Sequence, residues 1–276
     1  MRPTITSFSN DTVKRLRSLH DRKGRRAEGL FLVEGLRLVT EAVDAGRAPK
    51  VLLVSEEAAA HPLSVAAAAA TRDAGGEVLT ATREILAKVT GKDNPGAVAA
   101  AFAVWPTPLA AIDRTTAAMW VVCEGLKDPG NLGTILRTCD ATGAGGVILL
   151  DHSCDPFGME AVRASMGALF TRRVAQADGA EFFAWLRAGP GMLAGAVLGP
   201  DTVDYRAVRW AVPTFLFMGN EQSGLPAAYA AACDVRVGIP MLGKADSLNV
   251  AVAAAVLLYE VLGQGRPVTP PRAASG

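Results

Sequence analysis

Two hydrophobic rhythms alternate along this chain, and together they predict an α/β protein. Over residues 10–20, Val13, Leu16 and Leu19 fall on one helical stripe, with Asn10 or Asp11 as the N-cap. The polar run from Arg22 to Arg26 breaks the stripe and reads as a basic loop. Leu30–Val33 is a short buried strand. From Gly35 the spacing of Leu36, Val39, Ala42 and Val43 predicts a helix ending near Gly46. A strand at 51–54, an Ala-rich helix at 63–74 closed by Gly75-Gly76, a strand at 77–80, a short helix at 83–89 and a strand at 98–105 follow. These lengths build a compact α/β domain. Trp105-Pro-Thr-Pro108 marks its end, because two prolines break any regular element.

A second α/β unit begins with the apolar strand Met119-Trp-Val-Val-Cys123. A helix over 131–142, a strand at 146–150 and helices over 160–169 and 181–188 come next. The apolar runs 192–198 and 214–218 are too short and too Gly-flanked for long helices, so they read as strands, and 235–239 is a further strand. An Ala-rich apolar helix over 249–262 closes the pattern. The expected domains are residues 1–108 and 115–264. A tail at 265–276, with three prolines, is expected to be disordered.

Composition sharpens this reading. Half of the 276 residues are apolar and a fifth charged, enough to bury a core and too apolar for a disordered polyelectrolyte. Gly, Pro or charge interrupts every apolar run short of the roughly eighteen residues that a membrane span needs. No signal-peptide core follows Met1–Ser7, so a soluble cytoplasmic protein is expected. Cys123, Cys139, Cys154 and Cys233 are scattered, without a Cys-x-x-Cys pair. With only His20, His61 and His152 beside them no metal site is expected. The net charge of +1 hides an asymmetry: residues 1–30 carry eight Lys and Arg against three acids, +5, and the remainder nets −4. Lys14, Arg15, Arg22, Lys23, Arg25 and Arg26 are therefore candidates for contact with a polyanion such as RNA. A solvated amphipathic helix is the competing reading.

Three loops in the C-terminal half are rich in Gly and Asn. The first is Asp128-Pro-Gly-Asn131-Leu-Gly133-Thr-Ile-Leu-Arg137. Asn131 sits where an N-cap would, leaving helix-start N–H groups for an anion. Arg137 lies one turn beyond Gly133, whose missing side chain would leave space for a ligand beside a guanidinium suited to phosphate. The competing reading is a plain cap and an ion pair of Arg137 with Asp140. The second is Gly219-Asn220-Glu221-Gln-Ser-Gly224-Leu, whose glycines permit positive φ and a close ligand approach. There Glu221 could equally be a solvent-exposed turn residue. The third runs from Ile239-Pro-Met241 to Ser247-Leu248-Asn249, where two capping residue types open the last helix. A simple helix cap explains it as well.

Taken in this order and spacing, the three segments resemble the signature motifs of the SpoU/TrmH family of RNA ribose 2′-O-methyltransferases, firmly over about residues 118–263. Phe31-Leu-Val-Glu34-Gly35 resembles that family's N-terminal substrate-binding domain, which is related in fold to a small ribosomal protein. Arg163-Ala-Ser165-Met-Gly167 resembles a lesser family element. Where the family often has a second Ser, this chain has Ala251. The resemblance implies a knotted parallel-sheet SPOUT methyltransferase domain, a homodimer and S-adenosyl-L-methionine as cofactor. Gly219, Asn220, Ile239, Met241 and Leu248 would hold the cofactor. Arg137, Asn131, Glu221, Ser247 and Asn249 would form the catalytic end. Arg137 suits stabilisation of a developing alkoxide better than general-base work, since guanidinium barely deprotonates.

The separate N-terminal domain points to ribosomal rather than transfer RNA as substrate. Two rivals stand beside this reading. One is a nonenzymatic RNA-binding or ribosome assembly factor. The other is a nucleotide-dependent dehydrogenase, which lacks its support because no Gly-x-Gly-x-x-Gly opens a helix.

Overall fold

This computed structural model describes residues 4–199 and 201–265. Arg2 and the tail from 266 onward, the latter expected to be disordered, lie outside the described residues. By compactness the chain divides into two units. One comprises Met1–Thr107, Asp128–Arg137 and Cys154–Thr171; the other comprises Pro108–Lys127, Thr138–Ser153 and Arg172–Gly276.

The first unit opens with α1 (Asp11–Ser18), and Asn10 is its N-cap, accepting from the backbone N–H groups of Thr12 and Val13. The basic run expected to be a loop is instead a second helix, α2 (Arg22–Glu28), ended by Gly29 in the left-handed conformation. It escaped the apolar pattern because its buried anchor is a charged residue, Arg25. Then come β1 (Leu30–Glu34), α3 (Leu36–Asp44), β2 (Val51–Val54), α4 (Pro62–Asp73), β3 (Glu77–Thr80), α5 (Arg83–Thr90) and β4 (Val98–Ala103). The four strands form a mixed sheet in the order β1-β4-β2-β3, antiparallel except for β2 with β3.

Both faces of β1 are buried, which is why it reads as a continuous apolar run. Leu30 and Leu32 join the core of Val13, Leu16, Leu53 and Ile85. Phe31 turns the other way, onto Phe102, Trp105, Phe157 and Phe170.

The second unit is built on a seven-stranded parallel sheet. Its strands are β5 (Met119–Glu124), β6 (Gly146–Leu150), β7 (Arg173–Ala177), β8 (Met192–Ala196), β9 (Val203–Asp204), β10 (Thr214–Met218) and β11 (Val235–Gly238). They run in the order β7-β6-β5-β10-β8-β11-β9. The register sets Trp120 beside Phe215 and Val122 beside Phe217, and these four residues lie in one core with Ile148, Phe182 and Leu193.

Apolar runs predict four of the five inner strands, and the fifth, β11, matches the strand expected at 235–239; the two edges, β7 and β9, were not expected. β7 is half-solvated, with Arg173 exposed and Gln176 within it, and β9 has two residues, so neither carries a continuous hydrophobic run. The remaining helices of the chain are α6 (Pro129–Thr142), α7 (Met159–Ala164), α8 (Ala168–Thr171), α9 (Gly179–Arg187), α10 (Ala227–Ala231) and α11 (Val250–Gly265); α7, α8 and α6 as far as Arg137 belong to the first unit, the others to the second. The single helix expected over 160–169 is two, separated by a turn in which Met166 and Gly167 have φ of 50° and 99°. Helix α11 runs three residues beyond its expected end. Among the described residues no helix is long and apolar enough to cross a membrane.

Candidate active site

In a parallel sheet the loops at the carboxyl ends of the strands define the ligand crevice, and three such loops converge here within the second unit. The β10–α10 loop is locked on itself. Asn220 and Gly224 exchange backbone hydrogen bonds of 3.2 and 2.9 Å. The Asn220 Oδ1 accepts from the Gln222 and Ser223 N–H groups at 2.9 and 3.3 Å, while its Nδ2 donates to the Gly125 carbonyl at 2.7 Å. Gly224 has a φ of 67°, as the sequence suggested for this loop; Gly219 does not have a positive φ. Its need for glycine is contact: a Cβ there would stand 2.3 Å from the Gly224 carbonyl carbon and from the Leu225 nitrogen. Glu221 is exposed, and its Oε2 accepts from the Lys127 N–H at 3.4 Å, so the loops after β10 and β5 are joined twice.

The β11–α11 segment ends on Asn249, which caps α11. Its Oδ1 accepts from the Ala251 and Val252 N–H groups at 2.9 and 3.4 Å. Ala251, in place of serine, is buried. Ser247 and Leu248 precede the cap and are exposed.

Between these segments and the end of β8 lies a cleft of about 520 Å³. Gly219, Asn220, Glu221, Ile239, Met241, Ser247, Leu248 and Asn249 all line it, which brings together eight of the ten residues expected at the cofactor and catalytic positions. The sequence reading missed Val197, Leu198, Gln222, Ser223 and Leu225, which also line it. The signal for Leu198 was an apolar residue carried past the end of a buried strand into Gly199, where it is 63% exposed.

At the foot of these loops, burial and the nearby Asp151 carboxylate push the Glu124 carboxyl above its ordinary value, against the pull of Lys127 and the Asn220 N–H. Burial and a hydrogen bond to Asp151 likewise raise the Tyr229 phenol.

The two remaining residues, Asn131 and Arg137, belong to the first unit. Two expectations about their helix are corrected. The residue preceding α6 is Asp128, whose Oδ1 accepts from the Asn131 N–H at 2.6 Å; Asn131 sits inside the first turn and is not the cap. Gly133 opens no space for a ligand: a Cβ there would stand 2.4 Å from the Ala164 Cβ and 2.7 Å from the Ser165 nitrogen, so its bareness lets α6 touch the end of α7. Arg137 is exposed, and Asp140, the partner an ion-pair reading would give it, pairs with Arg172 at 2.8 Å.

Of the basic candidates, Lys14, Arg15, Arg22, Lys23 and Arg26 are exposed. Arg25 departs from that set. It is 6% exposed, bonded to Asp155 at 2.8 Å and to the carbonyls of Leu19 and His20 at 2.8 Å. Its guanidinium is committed inside the unit and is not offered to a polyanion.

A crevice formed by glycine- and asparagine-rich loops at the carboxyl ends of a seven-stranded parallel sheet defines an α/β protein with a small-molecule site at its strand ends. Residues 118–259 match the SpoU rRNA Methylase family and residues 10–100 match an MRM3-like substrate binding domain. The chain is 31% identical to the 23S rRNA (guanosine(2553)-2′-O)-methyltransferase RlmP of Bacillus subtilis, over 94% of this chain and 99% of that protein. It is 33% identical to the 23S rRNA (uridine(2479)-2′-O)-methyltransferase of Streptomyces viridochromogenes, over 92% and 90% of the two chains. An AdoMet-bound rRNA methyltransferase from Sinorhizobium meliloti superposes with a TM-score of 0.87 at 38% identity, over 94% of this chain and 97% of that one. The chain belongs to the SpoU rRNA methylase family.

Proposed function

We propose that this chain transfers a methyl group from S-adenosyl-L-methionine to a ribose 2′-hydroxyl of ribosomal RNA. The observation that carries the reading is the cleft, which eight of the ten residues that the family resemblance assigns to cofactor and catalysis line; Asn131 and Arg137 are not among them. Its volume falls in the range of small-molecule sites, and its lining has the usual mixture of apolar walls and a few polar groups. Met218, Leu225, Ile239, Met241 and Leu248 offer apolar surface for a nucleoside, and Asn220, Glu221, Gln222 and Ser223 offer polar atoms for its edges. The bound cofactor supplies an electrophilic methyl group, so the protein need only align the hydroxyl and ease loss of its proton.

In this reading Gly219, Asn220, Ile239, Met241 and Leu248 hold the cofactor. Asn131, Ser247 and Asn249 position the ribose, and Glu221 braces the loop through the Lys127 N–H. Arg137 neutralises the neighbouring phosphate and the charge developing on the 2′-oxygen. Residues 1–108 serve as the substrate-binding domain and 115–264 as the catalytic one. Exposed Lys14, Arg15, Arg22, Lys23 and Arg26 supply the charge for RNA. A cytoplasmic homodimer completes the proposal; what supports the dimer is the exposed apolar surface of α11, where Val252 and Tyr259 are 49% and 55% accessible.

The test is transfer of a radiolabelled methyl group onto unmodified ribosomal and transfer RNA, beside an Arg137→Ala variant. Label on ribosomal RNA that falls at least a hundredfold in the variant, about 2.7 kcal/mol of transition-state stabilisation, is the expected result. Label confined to transfer RNA would overturn the substrate, and no label on either would overturn the activity.

A further inference from the structure

Within the first unit one carboxylate is enclosed without belonging to the core. Glu34, the last residue of β1, is half-buried as a residue but its side chain is only 6% exposed, and it accepts three hydrogen bonds. Arg163 Nη2 reaches Oε2 at 2.6 Å, Lys92 Nζ reaches the same oxygen at 3.0 Å, and the Gly96 N–H reaches Oε1 at 3.4 Å. Burial alone would raise this carboxyl, but the bonds from Lys92, Arg163 and Gly96 outweigh it and hold it below the ordinary carboxylate value. The two cations differ in what they are attached to. Lys92 follows α5 on the connection to β4. Arg163 stands near the end of α7, and the next two residues, Ala164 and Ser165, are the ones Gly133 touches. Among the described residues Glu34 is the side chain that holds the Arg163 guanidinium, and the buried Nε finds no partner.

The contacts therefore form one line: Glu34 to Arg163, Arg163 along the backbone to Ala164 and Ser165, and those to Gly133 in the first turns of α6. Asn131 and Arg137 sit two residues before and four residues after Gly133, and the absence of a Cβ at 133 leaves no slack in this joint. Ser165 is fully buried and donates to the Val162 carbonyl at 2.7 Å, while the positive φ of Met166 turns the chain immediately afterwards. A shift of Arg163 thus has no soft segment in which to be absorbed before it reaches α6.

We propose that Glu34 is a positioning residue for methyl transfer: through Arg163 it sets the placement of the first turns of α6, which carry Asn131 and Arg137. The proposal rests on the methyltransferase reading above and adds a residue that touches neither substrate nor cofactor. It ties the strand that follows the basic helices α1 and α2 to the helix that carries Arg137.

The test is steady-state methylation of unmodified ribosomal RNA by the full chain, with the dissociation constant for S-adenosylmethionine and the thermal midpoint measured on the same preparations. Glu34→Gln and Arg163→Met are expected to lower kcat roughly tenfold or more, since a misplacement of about 1 Å can cost up to ~100-fold. The KM for RNA and the cofactor affinity should stay within about twofold, and the double variant should be no slower than the slower single one, because both act on one path. Lys92→Met is the control. It removes a bond to the same oxygen without touching the line to α6, and kcat should stay within about twofold.

If Lys92→Met loses as much kcat as Glu34→Gln, the role is general charge balance and the proposal is wrong. It is also wrong if kcat falls only in proportion to the folded fraction, or not at all. Should Glu34→Gln not fold, Arg163→Lys carries the test: it keeps the charge on Glu34 but not the planar fork, and wild-type kcat there would overturn the proposal. A wild-type chain that labels no RNA would remove the methyltransferase reading and this role with it. A wild type that labels RNA as fast as its Glu34→Gln variant would remove this role alone.

Discussion

At position 133 one absent methyl group decides how closely two helices approach. A Cβ on Gly133 would stand 2.4 Å from the Ala164 Cβ and 2.6 Å from the Ala164 carbonyl carbon, and the second atom is backbone that cannot rotate away. Gly133→Ala is therefore expected to destabilise the protein by about 1–3 kcal/mol, the usual cost of overpacking, and to reduce methyl transfer by more than the loss of folded protein explains. Gly143→Ala is the comparison. That residue has a φ of 74° but nothing within 4 Å of an added Cβ, so the cost is conformational, about 1–2 kcal/mol, without an effect on transfer beyond the folded fraction. Urea denaturation and initial rates of the two variants check both halves; equal rates after correction for folded fraction would show that the 133–164 contact is packing only. From sequence, Gly133 stood out as a glycine beside Arg137 and suggested open space. What fills that space is Ala164 at the end of α7, far along the chain, and no local pattern could have revealed it.

Among the elements, the β10–α10 loop shows how a site is held in shape without a core. Asn220 spends its side chain inside the loop, accepting from Gln222 and Ser223 and donating across to Gly125. Asn220→Ala removes these bonds from a half-exposed position. Each is worth about 1 kcal/mol where water cannot replace it; with water taking over part of the three at this half-exposed loop, a net loss of about 1–2 kcal/mol weakens cofactor binding by about tenfold, with little change in the thermal midpoint. Asn220→Asp keeps the acceptor and loses the Nδ2 bond to Gly125, and should fall between. Calorimetric titration with S-adenosylmethionine measures all three proteins; unchanged affinity in Asn220→Ala would mean that Gly219 and Gly224 shape the loop unaided.

The loop's composition was legible because Gly and Asn are required for such turns, and β5, β6, β8 and β10 were legible because burial on both faces makes their apolar runs continuous. The edge strands β7 and β9, with Arg173 and Gln176 in one and two residues in the other, carry no such run. Helix α2 was illegible for a different reason: its anchor is an arginine, and hydrophobic periodicity does not register a buried charge.

For the molecule as a whole, the near-neutral net charge conceals a division of labour within one basic tract. Arg22, Lys23 and Arg26 are exposed, while Arg25, from the same turn, is 6% exposed and bonded to Asp155 at 2.8 Å and to two carbonyls. Sequence treats the four alike, since charge is visible in it and burial is not. The structure separates them, and the separation is measurable. Replacing Arg22, Lys23 and Arg26 together with Ala is expected to weaken RNA binding and flatten its salt dependence by about 0.7–0.9 of a logarithmic unit for each lost phosphate contact. The thermal midpoint and cofactor affinity should not move, since none of the three is buried. Arg25→Ala should do the reverse. Removing one partner of a buried pair leaves Asp155 uncompensated and costs about 3–5 kcal/mol, which appears as a lower thermal midpoint, with the salt slope of the folded fraction unchanged. Filter-binding titrations from 50 to 200 mM salt, roughly the span over which such contacts are lost, together with thermal melts, distinguish the two. A triple variant with wild-type RNA affinity would show that α2 is a solvated helix and place the RNA surface elsewhere on the chain. A salt slope that falls in Arg25→Ala would return that residue to the RNA-binding set.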